Sequence, residues 1–252
     1  MLTALYPAAT TPALSVLPPP DQKAAYVNQM FTAVAPRYDL MNRLMTFGLD
    51  QGWRRWAART IATPGATHVL DVGTGTGDFL PIIEQAMPGA RVVGADFTHA
   101  MLVAGQAKLE RHTSNAAFVN GDALHLPFTA GAFDAVTTGF TMRNVADIAQ
   151  AFREMARVTR PGGRLACLEV ARPRNPLVRW GHWLYFNNVV PVIGRVIGSD
   201  ARAYTYLPQS AGVFPPPPDL ARIIAASGWH GVSWKLLGLG AVAIHTATRS
   251  AE

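Results

Sequence analysis

Cysteine is almost absent from this chain, since Cys167 is the only one among 252 residues. A single thiol excludes an internal disulfide and any metal site built from several cysteines. No stretch of 18 consecutive apolar residues occurs, so the sequence predicts no transmembrane helix. The first twenty residues lack a basic start and are interrupted by prolines, so we expect no secretory signal there. These absences favour a cytoplasmic protein.

Charged residues are also few, at 15% of the chain, although the net charge is +6. The basic residues are spread along the chain without a run of five or six, which argues against nucleic acid as a partner. Apolar residues make up 49%, enough for a well-buried core. We expect residues 1–20 to be a disordered tail and residues 21–252 to form a single domain.

The most informative segment is a glycine-rich loop that follows a predicted buried strand. It reads Val69-Leu70-Asp71-Val72-Gly73-Thr74-Gly75-Thr76-Gly77-Asp78. Glycines at every second position predict a tight turn that a ligand approaches closely, because no Cβ stands in its way. A helix predicted to begin at Asp78 would present free backbone N–H groups to an anionic part of that ligand.

An acid ends the next predicted strand, Arg91 to Asp96. A carboxylate about 20 residues beyond such a loop is placed to accept hydrogen bonds from both hydroxyls of a ribose. The spacing is G-x-G-x-G rather than the G-x-G-x-x-G of dinucleotide sites, and Asp71 lies within the first strand. A pyrophosphate does not need that carboxylate, whereas the ammonium group of S-adenosylmethionine (SAM) tolerates it. We therefore predict a SAM site, with an NAD-dependent oxidoreductase as the weaker alternative.

Strands and helices alternate along the middle of the chain, which predicts a parallel sheet with right-handed crossovers. The predicted fold is α/β: a doubly wound, mostly parallel seven-stranded sheet with an N-terminal helical cap and a C-terminal antiparallel hairpin. Ligands of such sheets bind beyond the carboxyl ends of the strands, at or near which we expect Asp71, Asp96, Asp122 and Thr138–Phe140. Residues 171–218 depart from the alternation, and we interpret them as an insertion that covers the substrate.

Local signals predict several element boundaries. Asp147 and Thr98 are each predicted to cap the N-terminus of a helix. Residues 36–39 are expected to form a loop. The four prolines of Pro215–Pro218 predict a stiff extended segment.

One later segment, Gly139-Phe140-Thr141-Met142-Arg143-Asn144-Val145, is close to the pattern G-F-G-L-R-N-V. Other segments accompany it: Arg37-Tyr38-Asp39-Leu40-Met41-Asn42, Leu126-Pro127-Phe128, Arg160-Pro161-Gly162-Gly163-Arg164, Leu168-Glu169, Tyr204-Thr205-Tyr206-Leu207 and Ala241-Val242-Ala243-Ile244-His245. With these segments the chain resembles the class I SAM-dependent methyltransferases and, within them, the C-methyltransferases of menaquinone and ubiquinone biosynthesis. The similarity extends from about residue 23 to residue 249.

The resemblance implies that SAM is bound, without a metal ion, by a set of residues around the strand ends. Thr76, Asp96 and the Asp122-Ala123 pair are implied as contacts, while Gly73, Gly75, Gly77, Asp71 and Gly139 complete the predicted site. Asp122 stands where family members often have Asn, and Gly139 where some have Ser. Thr141 and Met142 replace the usual Gly and Leu, and Thr141 adds a Cβ beside the predicted pocket.

The implied reaction is methyl transfer to a ring carbon of a polyprenylated hydroquinone. Demethylmenaquinol is the expected acceptor, and the benzoquinol of the ubiquinone pathway stays open. Loss of a phenolic proton makes the ring carbon nucleophilic, and a cation beside the phenolate favours that loss. Arg143 is the candidate for this cation and Asn144 for orienting the oxygen. The candidate proton acceptors are His245, Asp39 and water.

Two other functions remain open from the sequence: methylation of a different lipophilic phenol, and SAM binding without catalysis. The segment Leu177–Gly198 is rich in aromatic and apolar residues and contains Arg179 and Arg195. Such a composition predicts peripheral contact with the inner face of the cell membrane. The same aromatic residues also suit an internal groove or a homodimer contact.

Overall fold

The computed structural model describes residues 17–111, 114–190, 192 and 201–251. Most of the predicted tail, residues 1–16, lies outside the described residues, and the first helix begins at Pro20. The helices are α1 (Pro20–Val34), α2 (Tyr38–Thr46), α3 (Leu49–Ile61), α4 (Leu80–Ala86), α5 (His99–Leu109), α6 (Ile148–Val158), α7 (Pro176–Leu184), α8 (Ala201–Val213) and α9 (Pro217–Ala225). The strands are β1 (His68–Val72), β2 (Arg91–Asp96), β3 (Ala117–Asn120), β4 (Phe133–Gly139), β5 (Thr159–Val170), β6 (Trp229–Leu237) and β7 (Val242–Arg249).

The strands form one seven-stranded sheet in the order β3-β2-β1-β4-β5-β7-β6. The first five run parallel, while β7 pairs antiparallel with both β5 and β6. The strand order reverses between β1 and β4, which is where sheets of this kind bind ligands. The predicted fold class is confirmed.

Two clusters of buried apolar side chains pack helices against the sheet. One contains Phe152 and Met155 of α6 with Ile224 of α9, and the other contains Ile61 of α3 with Ile83 of α4. Because helices cover both faces, a central strand such as β1 is buried along nearly its whole length. Apart from the half-buried His68 at its start, Asp71 is the only polar residue of this strand, which makes that acid conspicuous.

The predicted N-termini of three helices can be compared with the structure. The Asp147 carboxylate accepts the backbone N–H of Gln150 at 2.9 Å, which confirms the predicted cap of α6. Thr98 precedes α5, but its hydroxyl makes no capping hydrogen bond. The helix expected from Asp78 begins instead at Leu80.

Two segments predicted as non-helical are helical in part. The loop expected at residues 36–39 is wrong, because a 3-10 turn over Ala35–Arg37 leads directly into α2 at Tyr38. The extended segment predicted for Pro215–Pro218 is wrong in its second half, where α9 begins at Pro217. Proline is compatible with the first turn of a helix, since its missing N–H has no partner there.

The segment interpreted as an insertion, residues 171–218, contributes α7 and α8, and residues 191 and 193–200 within it are outside the described residues. Among the described helices, none has the length and apolar character that crossing a bilayer requires.

Candidate active site

The glycine loop follows β1 with three left-handed residues. Gly73, Gly75 and Gly77 have φ values of 69°, 58° and 78°, a region that other L-residues rarely adopt. A Cβ on Gly73 would stand 2.1 Å from the Thr141 side chain, and one on Gly77 would stand 2.7 Å from the ring of Phe118. Packing and backbone conformation therefore both require glycine, and the loop can pass close to a ligand.

Asp96 ends β2 beside this loop. Its carboxylate accepts the backbone N–H groups of Gly75 and Thr98, each at 2.8 Å. Burial raises the pKa of Asp96, and the backbone N–H groups oppose that shift. Each carboxylate oxygen retains acceptor capacity beyond its one bond. Asp96 therefore both fixes the loop and remains able to receive ligand hydroxyls.

A first cavity opens at the carboxyl ends of β1, β2 and β4. Six of the predicted cofactor residues line it: Gly73, Gly75, Asp96, Asp122, Ala123 and Gly139. Residues of the N-terminal cap complete the wall, including Phe31 of α1 and Tyr38 of α2. Asp71, Thr76 and Gly77 are not among its lining residues.

Asp71 lies beneath the loop rather than in the cavity. Its carboxylate is 2% exposed and accepts the hydroxyl of Thr137 on the neighbouring strand at 2.7 Å. Burial raises the pKa of Asp71 to about 6, against the opposing effect of that hydrogen bond. A buried acid at this point makes the electrostatic potential above it favourable to a cation.

Thr76 belongs to an ion-pair network on the outer side of the loop. Its hydroxyl donates to the Asp39 carboxylate, and the Lys108 ammonium group lies 2.8 Å from Asp39 and 2.6 Å from Asp78. The network joins α2, the glycine loop and α5. No sequence pattern pointed to Lys108, which lies 69 residues from Asp39. Asp39 is engaged here, which disfavours it as a proton acceptor.

A second cavity adjoins the first. Phe31, Tyr38 and Asn144 line both cavities. The remaining walls of the second are mostly apolar: Met30, Val34, Met41, Asn42, Met45, Arg143, Tyr206 and Leu207.

Three buried polar atoms belong to residues of this second cavity and have no hydrogen-bond partner within the described part of the chain. They are Nε of Arg143, Oδ1 of Asn144 and the hydroxyl oxygen of Tyr206. Burial raises the pKa of Tyr206 to about 12, so its hydroxyl keeps its proton near neutral pH. In the sequence, Tyr206 was noted only as part of the segment Tyr204-Thr205-Tyr206-Leu207, without a catalytic role. Buried polar atoms normally have partners, so this group indicates a polar ligand.

Arg143 is held by the turn after β4. Phe140 has a φ of 59°, and its carbonyl oxygen accepts from Nη1 of Arg143 at 2.8 Å and from Nδ2 of Asn144 at 3.2 Å. The Glu169 carboxylate of β5, which is 1% exposed, lies 3.2 Å from Nη1 of Arg143. A left-handed Phe is strained, and here it directs a carbonyl group at both polar side chains. Sequence reasoning matched Glu169 to a motif without assigning it a role.

His245 does not join these residues. It lies in β7, is 1% exposed, and its Nε2 is 2.9 Å from the carbonyl oxygen of Pro217. Burial lowers its pKa, which favours a neutral ring. Its ring stacks on Trp234 at a centroid distance of 6.1 Å, and it lines neither cavity. These contacts support a structural role for His245.

The sheet order, the glycine loop after β1 and the acid ending β2 define a class I SAM-dependent methyltransferase. The model of the "ubiE/COQ5 methyltransferase family" matches residues 20–249. The chain belongs to that family.

Relatives from three bacteria are similar to this chain over nearly their whole length. The "Demethylmenaquinone methyltransferase" of Roseiflexus castenholzii is 57% identical over 93% of this chain and 98% of its own. The protein of the same name from Thermus thermophilus is 44% identical over 87% of this chain and 100% of its own. The "Ubiquinone/menaquinone biosynthesis C-methyltransferase UbiE" of Paracoccus denitrificans is 39% identical over 89% and 90%.

Solved structures are similar at the level of the fold. A "possible histamine N-methyltransferase" from Thermotoga maritima has a TM-score of 0.60 at 16% identity and covers 88% of this chain and 99% of its own. The "[4+2]-Cyclase SpnF" has a TM-score of 0.66 at 16% identity and covers 90% and 96%. Since the name of SpnF describes a different reaction, the fold alone does not define the acceptor.

The titration of Asp71 gives a test of its buried position. Its folded-state pKa of about 6 exceeds the roughly 3.9 of an unfolded chain, so the folded protein holds an extra proton between those values. The free energy of unfolding of the wild type, relative to Asp71→Asn, should therefore fall by up to about 3 kcal/mol as pH rises from 4 to 6 and stay constant above. Urea denaturation of both proteins measures this difference, and a pH-independent difference would contradict the assignment.

Proposed function

We propose that this protein uses SAM to methylate a ring carbon of a polyprenylated hydroquinone, converting demethylmenaquinol to menaquinol. The observation that carries the proposal is a pair of adjoining cavities with a shared wall of Phe31, Tyr38 and Asn144. The first has the acid and the glycine loop suited to SAM. The second is mostly apolar, and it ends in polar atoms that have no partner among the described residues and suit a quinol ring. The names of the Roseiflexus and Thermus relatives support the acceptor.

SAM fits the first cavity through groups of complementary chemistry. Asp96 accepts the ribose hydroxyls, and Asp122 accepts the amino group of the adenine. Gly73 and Gly75 line this cavity, so the methionine part can lie against the backbone of the loop. Asp71 acts from beneath the loop, where its negative charge favours the ammonium and sulfonium groups without touching them.

When bound, SAM supplies an electrophilic methyl group. The protein makes the ring carbon nucleophilic: the Arg143 guanidinium stabilises the phenolate, which lowers the pKa of the phenol. Asn144 and Tyr206 hydrogen-bond the ring oxygens and set the ring against the shared wall. Arg143 keeps its own proton. The phenolic proton therefore passes to a water molecule held by Oδ1 of Asn144. After the methyl transfer the ring carbon loses its hydrogen as a proton and the ring oxygen takes a proton up, so that each turnover releases one proton to water.

The apolar residues of the second cavity suit the first part of a prenyl chain. Met30, Met41 and Met45 have flexible thioether side chains that adapt to branched hydrocarbon. We propose that residues 21–252 act as one methyltransferase unit in which the segment 171–218 covers the substrate. Tyr206 and Leu207 support this role, since both belong to the segment and line the second cavity.

A polyprenylated acceptor resides in lipid, so we also propose that the protein works at the inner face of the cell membrane. An apolar surface supports this location: Leu40, Leu44 and Phe47 of the α2 region are 51%, 42% and 76% exposed, and Leu177, Trp180 and Trp183 of α7 are 75%, 59% and 43% exposed. The Phe47 and Tyr185 rings, 5.6 Å apart, connect the two parts. The exposed Arg43 and Arg179 suit anionic headgroups.

The acceptor is tested by supplying this chain to a bacterium that makes both quinones and lacks its own C-methyltransferase. We expect mass spectrometry of the extracted lipids to show menaquinone in place of demethylmenaquinone. The name of the Paracoccus relative suggests that the methylated ubiquinone intermediate should be sought in the same extract. Stable expression with unchanged masses of both quinones would contradict a quinol acceptor and favour another lipophilic phenol or SAM binding without catalysis.

Arg143→Ala should separate catalysis from cofactor binding. Loss of the cation that stabilises the phenolate should lower kcat by roughly 100-fold or more. SAM affinity should change little, because Arg143 lines the second cavity and not the first. Arg153→Ala on the exposed face of α6 is the control, and calorimetry with a quinol assay provides both quantities. Equal losses in SAM affinity and kcat would instead indicate a structural role.

Membrane contact is tested by co-sedimentation with anionic liposomes at low and high salt. We expect weak binding at low salt that falls at high salt, because the headgroup attraction is screened. Replacing both Trp180 and Trp183 by Ala should lower the bound fraction several-fold, since Trp favours the interface. Trp234→Ala, on the edge strand β6, should bind like the wild type. Unchanged liposome binding of the double variant would show that this surface is not the membrane contact. Analytical ultracentrifugation would then show from the molecular mass whether the surface forms a dimer instead.

A further inference from the structure

Arg54 of α3 has an unusual environment for a charged residue. It is only 5% exposed, and its guanidinium lies between two aromatic rings, 5.1 Å from the centroid of Phe79 and 5.7 Å from that of Phe140. Such stacking holds the planar group in one orientation. The two phenylalanines follow the glycine loop and β4, so the guanidinium is fixed beside the carboxyl ends of both central strands.

The guanidinium lacks a hydrogen-bond acceptor among the described residues. Its ion-pair partner is Asp50, with Nε and Oδ2 3.7 Å apart, which is too long for a hydrogen bond. Asp50 already accepts the Thr46 hydroxyl at 2.9 Å and the Gln51 side-chain amide at 3.2 Å. An arginine has five N–H donors, and leaving them unsatisfied in a buried site is costly. An acceptor from outside the described chain would remove that cost.

The acids nearest to the glycine loop are engaged elsewhere. Asp71 accepts from Thr137, Asp78 is paired with Lys108, and Asp96 accepts two backbone N–H groups. None of the hydrogen bonds that these acids make in the described part of the chain comes from Arg54. The missing acceptor is therefore expected from a ligand.

Arg54 is not among the residues that line the first cavity, but its guanidinium lies directly behind one of them, Gly139. A Cβ at this position would stand 3.2 Å from Nη1 of Arg54, so the glycine leaves the strand end open towards the cation. Gly139 and Phe140 both line the first cavity. Asp96 ends β2 and Gly139 ends β4, and β1 lies between these strands. The two positions are thus about 10 Å apart, with the ribose proposed at one of them.

SAM carries one carboxylate, at the opposite end of its methionine chain from the ribose. We propose that Arg54 binds this carboxylate and completes its own hydrogen bonding by doing so. Each end of the cofactor then has one charged partner in the site. The ribose hydroxyls bind Asp96, and the carboxylate binds Arg54. This inference rests on the proposed placement of SAM in the first cavity.

The test compares SAM with decarboxylated SAM, which lacks only that carboxylate, by calorimetry. The wild type should bind SAM roughly 10- to 100-fold more tightly, the range expected for a charge-assisted hydrogen bond. Arg54→Gln should bind the two ligands with similar affinity, because the glutamine has no charge to pair with the carboxylate. Arg55→Gln, at the exposed neighbouring position on α3, should keep the wild-type preference.

Two results would overturn the inference in distinguishable ways. If Arg54→Gln binds SAM and retains the wild-type preference, Arg54 does not bind the carboxylate, whereas the proposed function stands. If the wild type binds neither ligand, the proposed placement of SAM is wrong and the inference falls with it. Arg54→Lys keeps the charge opposite Asp50 and serves where Arg54→Gln does not fold. It should reduce the preference, since an ammonium group cannot form the paired hydrogen bonds of a guanidinium.

Discussion

The ion pair between Arg143 and Glu169 is the interaction on which the rest of the site depends. Its atoms lie 3.2 Å apart, and the side chains are 9% and 1% exposed. Buried pairs of this kind contribute little net stability, although removing one partner costs about 3–5 kcal/mol. The pair is therefore better understood as a positioning device. It fixes the cation at the end of β4, where the second cavity meets the shared wall of Phe31, Tyr38 and Asn144.

The same end of the sheet holds buried charges of both signs in separate places. Asp71 and Asp96 lie near the first cavity, and burial raises the pKa of each. Arg143 lines the second cavity, and Arg54 lies behind Gly139. This separation suits a cationic methyl donor next to an acceptor that becomes anionic. The acids favour the sulfonium on one side of the wall, and the arginine favours the phenolate on the other.

Sequence reasoning predicted the features that local patterns encode. The alternation of strands and helices gave the sheet, and the glycine spacing with Asp96 predicted a loop and an acid that do line the first cavity. The start of α2 was missed because Pro36 was treated as a loop residue, although proline suits the first turn of a helix. Contacts between distant segments were not accessible: Lys108 reaches Asp39 across 69 residues, and Tyr206 reaches the second cavity from α8. Asp71 and Thr76 belong to the glycine-loop motif from which the site was predicted. Both side chains are buried, and neither residue lines the first cavity.

We propose that SAM and a quinol occupy the two adjoining cavities, with the reacting atoms in contact where the cavities meet beside Phe31, Tyr38 and Asn144. A crystal structure with S-adenosylhomocysteine and a short-chain demethylmenaquinol measures this directly. We expect the adenosine between Asp96 and Asp122. We expect the ring beside Arg143, Asn144 and Tyr206, with its unmethylated carbon directed at the sulfur. A ring bound outside the second cavity, or one with that carbon turned away from the sulfur, would contradict it.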